Sequence, residues 1–106
     1  MAFGQTKDCE IKFVNNTGRT INIPREGHRV KNPGGLEGWN KLELGSAIDE
    51  LRAGSAASRV QDLSIKMVDD AEFEIHYSAV DGTDFVQLFS NRDIRDKKAV
   101  LKLTHN

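Results

Sequence analysis

Cys9-Glu10-Ile11-Lys12-Phe13-Val14-Asn15-Asn16-Thr17-Gly18-Arg19-Thr20-Ile21-Asn22-Ile23 sets two runs of alternating apolar and polar residues on either side of an Asn-Asn-Thr-Gly turn. Alternation with a period of two sends successive side chains to opposite faces of a strand, and Asn and Gly tolerate the backbone that tight turns require. The stretch predicts a β-hairpin. Cys9, Ile11, Phe13, Ile21 and Ile23 form its inward face; Glu10, Lys12, Thr20 and Asn22 are left for solvent.

Working outward, Pro24 ends the second run, because proline has no N–H to give to an interior ladder. His28-Arg29-Val30 resumes an extended segment, and Asn32-Pro33-Gly34-Gly35 is a turn or loop. In Gly38–Leu44, Asn40, Leu42 and Leu44 alternate against Trp39, Lys41 and Glu43, which reads as a strand. Ser46 is a good N-cap, Asp49 follows three residues on, Gly54 supplies a stop, and Ile48 and Leu51 are spaced i, i+3. These signals predict one short helix over Ser46–Ala53, followed by a small-residue connection at Gly54–Ser58.

The second half alternates in Leu63–Met67 and Phe73–Tyr77, is strongly apolar in Asp84–Phe89 and closes with a last strand at Ala99–Thr104, with turns at Asp69-Asp70 and Asp81-Gly82. The fold class expected is mainly β: one antiparallel β-sandwich, or a partly closed barrel, of six to eight strands with a short helix near 46–53. At 106 residues the chain is read as a single domain, 1–106, with one core. Its 38% hydrophobic content is enough to argue against disorder.

The lone Cys9 cannot form an internal disulfide, and no signal-peptide pattern opens the chain. Both point to the cytoplasm, with release by a signal-independent route left open. Charge is unevenly placed: residues 1–35 carry six Lys/Arg against three acids, residues 36–90 four against eleven, and residues 91–106 five against two. If the first and last strands meet, they form a basic face opposite an acidic one.

Catalytic chemistry finds little support. His28, His76 and His105 sit in no nucleophile motif, and Cys9 lies on the apolar phase of its strand. An enzyme would need a cleft gathering one of these histidines beside a carboxylate. There is no close-spaced His or Cys pair for a metal, no calcium loop beyond a fragment at Asp81–Asp84, and no Walker or dinucleotide fingerprint around Gly34–Gly38. No catalytic residue, metal or cofactor is expected. Basic residues interleaved with aromatics are missing as well, so no nucleic-acid partner is expected. Asn15-Asn16-Thr17 matches the glycosylation pattern, and its role in a turn explains it sufficiently.

Three segments, in order, resemble the aegerolysins, small β-sandwich proteins related in architecture to actinoporin-type cytolysins. They are Ile11–Ile21 with its Asn/Thr/Gly turn, Gly34-Gly35-Leu36-Glu37-Gly38-Trp39 with its glycine-led tryptophan, and Phe73–Ser78 followed by Val86–Asn91. The resemblance covers less than half the chain. It implies a non-enzymatic protein that recognises membrane lipids, in some cases beside a larger pore-forming partner. The chain departs from the family in its length, its seven aromatic residues and the helix expected at Ser46–Ala53.

The function expected is therefore non-enzymatic binding of a lipid headgroup or glycan by loops at one end of the sandwich, with Trp39, Arg25, Arg29 and Lys31 as ligand-binding candidates. The alternative is an intracellular protein-interaction module using a sheet edge or the acidic middle segment.

Overall fold

β1 (Cys9–Asn16) lies at the centre of a three-stranded sheet, flanked by β6 (Ala56–Gln61) and β9 (Lys98–Thr104). β2 (Ile21–Ile23), β3 (His28–Lys31), β4 (Trp39–Leu42), β5 (Ile48–Leu51), β7 (Glu72–Ala79) and β8 (Asp84–Ser90) form a second, six-stranded sheet. This computed structural model describes residues 9–31, 39–61, 72–90 and 93–104. The two sheets enclose a core of Cys9, Ile11, Phe13, Ile21, Ile23, Val30, Leu42, Phe73, Ile75, Leu101 and Leu103, among others. The protein is mainly β, and its sheets do not close into a barrel. The strand expected at Leu63–Met67 lies outside the described residues.

The opening stretch folds differently from the hairpin that its alternation predicts. Both edges of β1 are taken, by β6 antiparallel and by β9 parallel, and β2 crosses to the other sheet to pair with β5 and β7. Asn15–Arg19 is thus a corner between sheets. Asn15, fully buried, holds it: its side-chain amide donates to the carbonyls of Arg19 (2.6 Å) and Leu51 (2.8 Å), and its Oδ1 accepts from the Thr17 amide (3.0 Å) and hydroxyl (2.6 Å). Gly18 turns the chain at φ +79°. The inward face expected for the hairpin is nonetheless correct residue by residue, since a strand's pleat is the same whichever sheet it joins. The burial of Asn15 also explains why the glycosylation pattern there has no accessible acceptor.

The helix expected at Ser46–Ala53 is instead strand β5 followed by a turn. A β-bulge in its pairing with β2 and a positive φ of 53° at Glu50 put one extra residue between Ile48 and Leu51, so both face the core. The bulged Glu50 amide donates to Asn22 Oδ1 at 2.7 Å. The antiparallel sandwich holds with two differences of detail: β1 and β9 pair in parallel, and nine strands are described where six to eight were expected.

β2 and β3 lie along the same edge of β7. Seven steps of chain from Asn22 to Arg29 face only four from Ser78 to Glu74, so three residues are looped out at Pro24–Gly27. The six strands consequently make four rows: β8, β7, β2 with β3, and β5 with β4. Cross-strand stacks of Phe73 on Phe89 (4.8 Å between centroids) and Tyr77 on Phe85 (5.5 Å) line the inner face of this sheet. The sandwich is tied at its sides by Tyr77 Oη donating to the Thr104 carbonyl (2.8 Å) and by the Arg59 guanidinium donating to the carbonyls of Ser46 and Ala47.

Candidate functional site

The pleat that buries Phe73, Ile75 and Tyr77 turns Glu72, Glu74, His76 and Ser78 to the outer face of the larger sheet, and the register of its neighbours completes a grid. One row reads Ser90, Glu72, Lys31 across β8, β7 and β3, and the next reads Leu88, Glu74, Arg29, Lys41 across β8, β7, β3 and β4. Val86 stands opposite His76, and Asp84 opposite Ser78. β8 thus supplies apolar groups, β7 carboxylates and an imidazole, and β3 with β4 cations.

Arg29, Glu74 and His76 form the centre. Arg29 donates to Glu74 Oε1 through Nε (2.8 Å), its Nη2 lies 2.7 Å from the same oxygen, and His76 Nε2 donates to that oxygen at 2.5 Å. Burial works to raise the Glu74 carboxyl, but the hydrogen bonds and charges of His76 and Arg29 outweigh it and hold the carboxyl below its ordinary range. Among the described residues neither His76 Nδ1 nor Glu74 Oε2 has a hydrogen-bond partner, and neither Lys31 nor Lys41 makes an ion pair. A shallow, open depression bounded by His76, Asp84, Phe85 and Val86 lies beside this cluster.

Behind it stands His28, on the opposite side of the same sheet and almost fully buried. Its Nε2 meets the Pro24 carbonyl at 2.6 Å, and its Nδ1 accepts the His76 amide at 3.1 Å. The carbonyl can only accept, so Nε2 carries the proton and Nδ1 is bare. The imidazole spans the gap where β2 and β3 part, replacing the backbone acceptor that the looped-out residues remove. Burial pushes its pKa below the ordinary value against the pull of the Pro24 bond, and His76 adds to the shift.

Of the residues singled out from sequence, Arg29 and Lys31 lie on this face as strand residues, not in loops. Trp39 is paired with Lys31 through the backbone, and its side chain is outside the described residues. Arg25 sits apart in the Pro24–Gly27 connection, where it bonds Glu43 at 3.3 Å. Glu74 and Lys41 were missed, and His76 was singled out only as a base that an enzyme would need, not as a binding residue. The alternation in Phe73–Tyr77 already placed Glu74 and His76 on one face, but only the pairing of β7 with β3 brings Arg29 to them.

His76 beside Glu74 is the sort of pair that moves a proton, yet it stands on an open sheet face. Among the described residues no hydroxyl or thiol contacts the imidazole, and no group of three or more His, Cys, Asp or Glu could hold a metal ion. No described helix is long and apolar enough to cross a membrane. Comparison with protein-family models, curated proteins and solved structures found no match.

Proposed function

We propose that this protein is a non-enzymatic binding module that takes a glycan on the outer face of its larger sheet. The observation that carries the reading is the Arg29–Glu74–His76 cluster. Its groups are held by one another on neighbouring strands, yet Glu74 Oε2 remains as an acceptor and His76 Nδ1 stays unpartnered among the described residues, beside the ammonium donors of Lys31 and Lys41. Sugar hydroxyls both donate and accept, so a face offering donors and acceptors in fixed positions suits them. Leu88 and Val86 provide adjoining apolar surface for the C–H face of a ring.

This placement moves the expected site from loops to a sheet face. Of the described loop tips, Thr17–Arg19, Arg25–Gly27, Arg52–Gly54 and Val80–Gly82 carry one large apolar side chain, Val80, and Ile94 in the connection before β9 packs against the core, which favours a glycan over insertion into lipid at those loops. The test is a glycan array probed with the wild-type chain and with a Glu74→Gln, His76→Ala double variant whose folding is checked by circular dichroism. Binding to a defined set of glycans that the variant loses is the expected result. An array on which the wild type binds nothing, or a folded variant that binds equally well, overturns the proposal.

A further inference from the structure

The two basic ends of the chain do meet: β1 and β9 pair directly, and their outward residues alternate with those of β6 on the exposed face of the smaller sheet. Its rows read Val60, Glu10, Lys98; then Ser58, Lys12, Val100; then Ala56, Val14, Lys102. Lys12, Lys98 and Lys102 are exposed, and none makes an ion pair among the described residues. Glu10 is the one acid among them. Val60 and Val100 are 59% and 54% exposed, two of the largest apolar exposures among the described residues.

From this face we infer a second binding surface, independent of the glycan site: it docks flat on an anionic phospholipid bilayer. Two features choose that partner. Strand rise and spacing put Lys12 roughly 8 Å from Lys98 and from Lys102, and those two about 13 Å apart, measured between Cα atoms. Such a layout spreads charge over an area instead of converging on one phosphate. The two exposed valines gain from an apolar boundary, which a polyphosphate backbone does not supply; the face also has no aromatic ring for stacking on bases. Each lysine held near an anionic leaflet contributes about 1 kcal/mol, close to a fivefold gain in partitioning, so three lysines less Glu10 give a weak, salt-sensitive attachment of roughly thirtyfold preference over a neutral surface.

Co-sedimentation of the full chain with vesicles of phosphatidylcholine alone, and of phosphatidylcholine with phosphatidylserine, tests this. Retention on the phosphatidylserine vesicles only, released by added salt and weakened about fivefold by each of Lys12→Gln, Lys98→Gln and Lys102→Gln, is expected. Val100→Ser should weaken it further without altering salt dependence. Equal behaviour on both vesicles, or retention indifferent to salt, overturns the inference. Loss of retention on changing Lys41 rather than these lysines overturns the assignment to the smaller sheet. A DNA duplex bound as tightly as the vesicles would make the face a general polyanion surface and equally overturn it.

Discussion

Replacing His28 with leucine, which keeps a buried side chain of similar bulk, removes both bonds that the imidazole makes across the break between β2 and β3. The His76 amide and the Pro24 carbonyl then lose their partners. An unsatisfied buried group costs about 1–3 kcal/mol. The carbonyl is partly open to water and falls at the low end, so the loss expected is about 2–4 kcal/mol, a large share of the roughly 5–15 kcal/mol that holds a domain together. Urea unfolding followed by Trp39 fluorescence or circular dichroism measures it. Stability should also depend on pH through this group. Burial depresses the folded pKa, and a second proton on Nδ1 would also face the His76 N–H, donor against donor, so the unfolded chain takes up the proton first. His28's contribution is therefore complete above the unfolded value of about 6.5 and is lost as pH falls toward and through the lowered folded value, by about 1.4 kcal/mol for each unit of depression. The wild type should lose stability between about pH 7 and pH 5, and the leucine variant should lose less. A variant within about 0.5 kcal/mol of wild type, or one with the same slope over that range, refutes the strut.

Asn15→Ala should cost about 2–4 kcal/mol in the same assay, since it takes the side-chain partner at this corner from the Leu51 carbonyl and the Thr17 amide, while the Arg19 carbonyl keeps its bond from the Thr17 hydroxyl. Glu50→Gly should stabilise by up to about 1 kcal/mol by relieving the positive φ of the bulge, whereas Asp49→Gly, at a backbone angle that is not positive, should destabilise. Glu74→Gln should be less stable than wild type at neutral pH and flatter in acid, because the depressed carboxyl contributes above its unfolded pKa and loses that contribution as pH falls through the lower folded one. Unfolding curves at several acidic pH values give the comparison.

The face of each residue was legible from sequence; its neighbour was not. Cys9, Ile11, Phe13, Ile21 and Ile23 are inward as their alternation requires, but the same alternation fits a hairpin and a corner between two sheets. What decides between them is the occupation of both edges of β1, by β6 some forty residues on and by β9 near the other end of the chain. The false helix at Ser46–Ala53 has an equally local cause. One bulge residue converts the i, i+2 spacing of a strand into i, i+3, which is the helical spacing, and no propensity at Ile48 or Leu51 distinguishes the two. Asp81-Gly82, flanked by longer regular runs, marks the turn between β7 and β8 as expected. At the site, Arg29 and Lys31 were visible as charge, while Glu74 and His76 acquire their meaning from a pairing with β3 that three looped-out residues set in register. His28 was visible only as a histidine without a motif; its strut depends on that same loop.

The proposed glycan-binding face is tested most directly by backbone amide chemical shifts of the labelled protein as a glycan selected on the array is titrated in. The account predicts shifts that saturate at Arg29, Lys31, Lys41, Glu74, His76 and Leu88, with β1, β6 and β9 unmoved. Shifts centred on the smaller sheet or on the loop ends, with the Arg29–Glu74–His76 cluster unmoved, would contradict it.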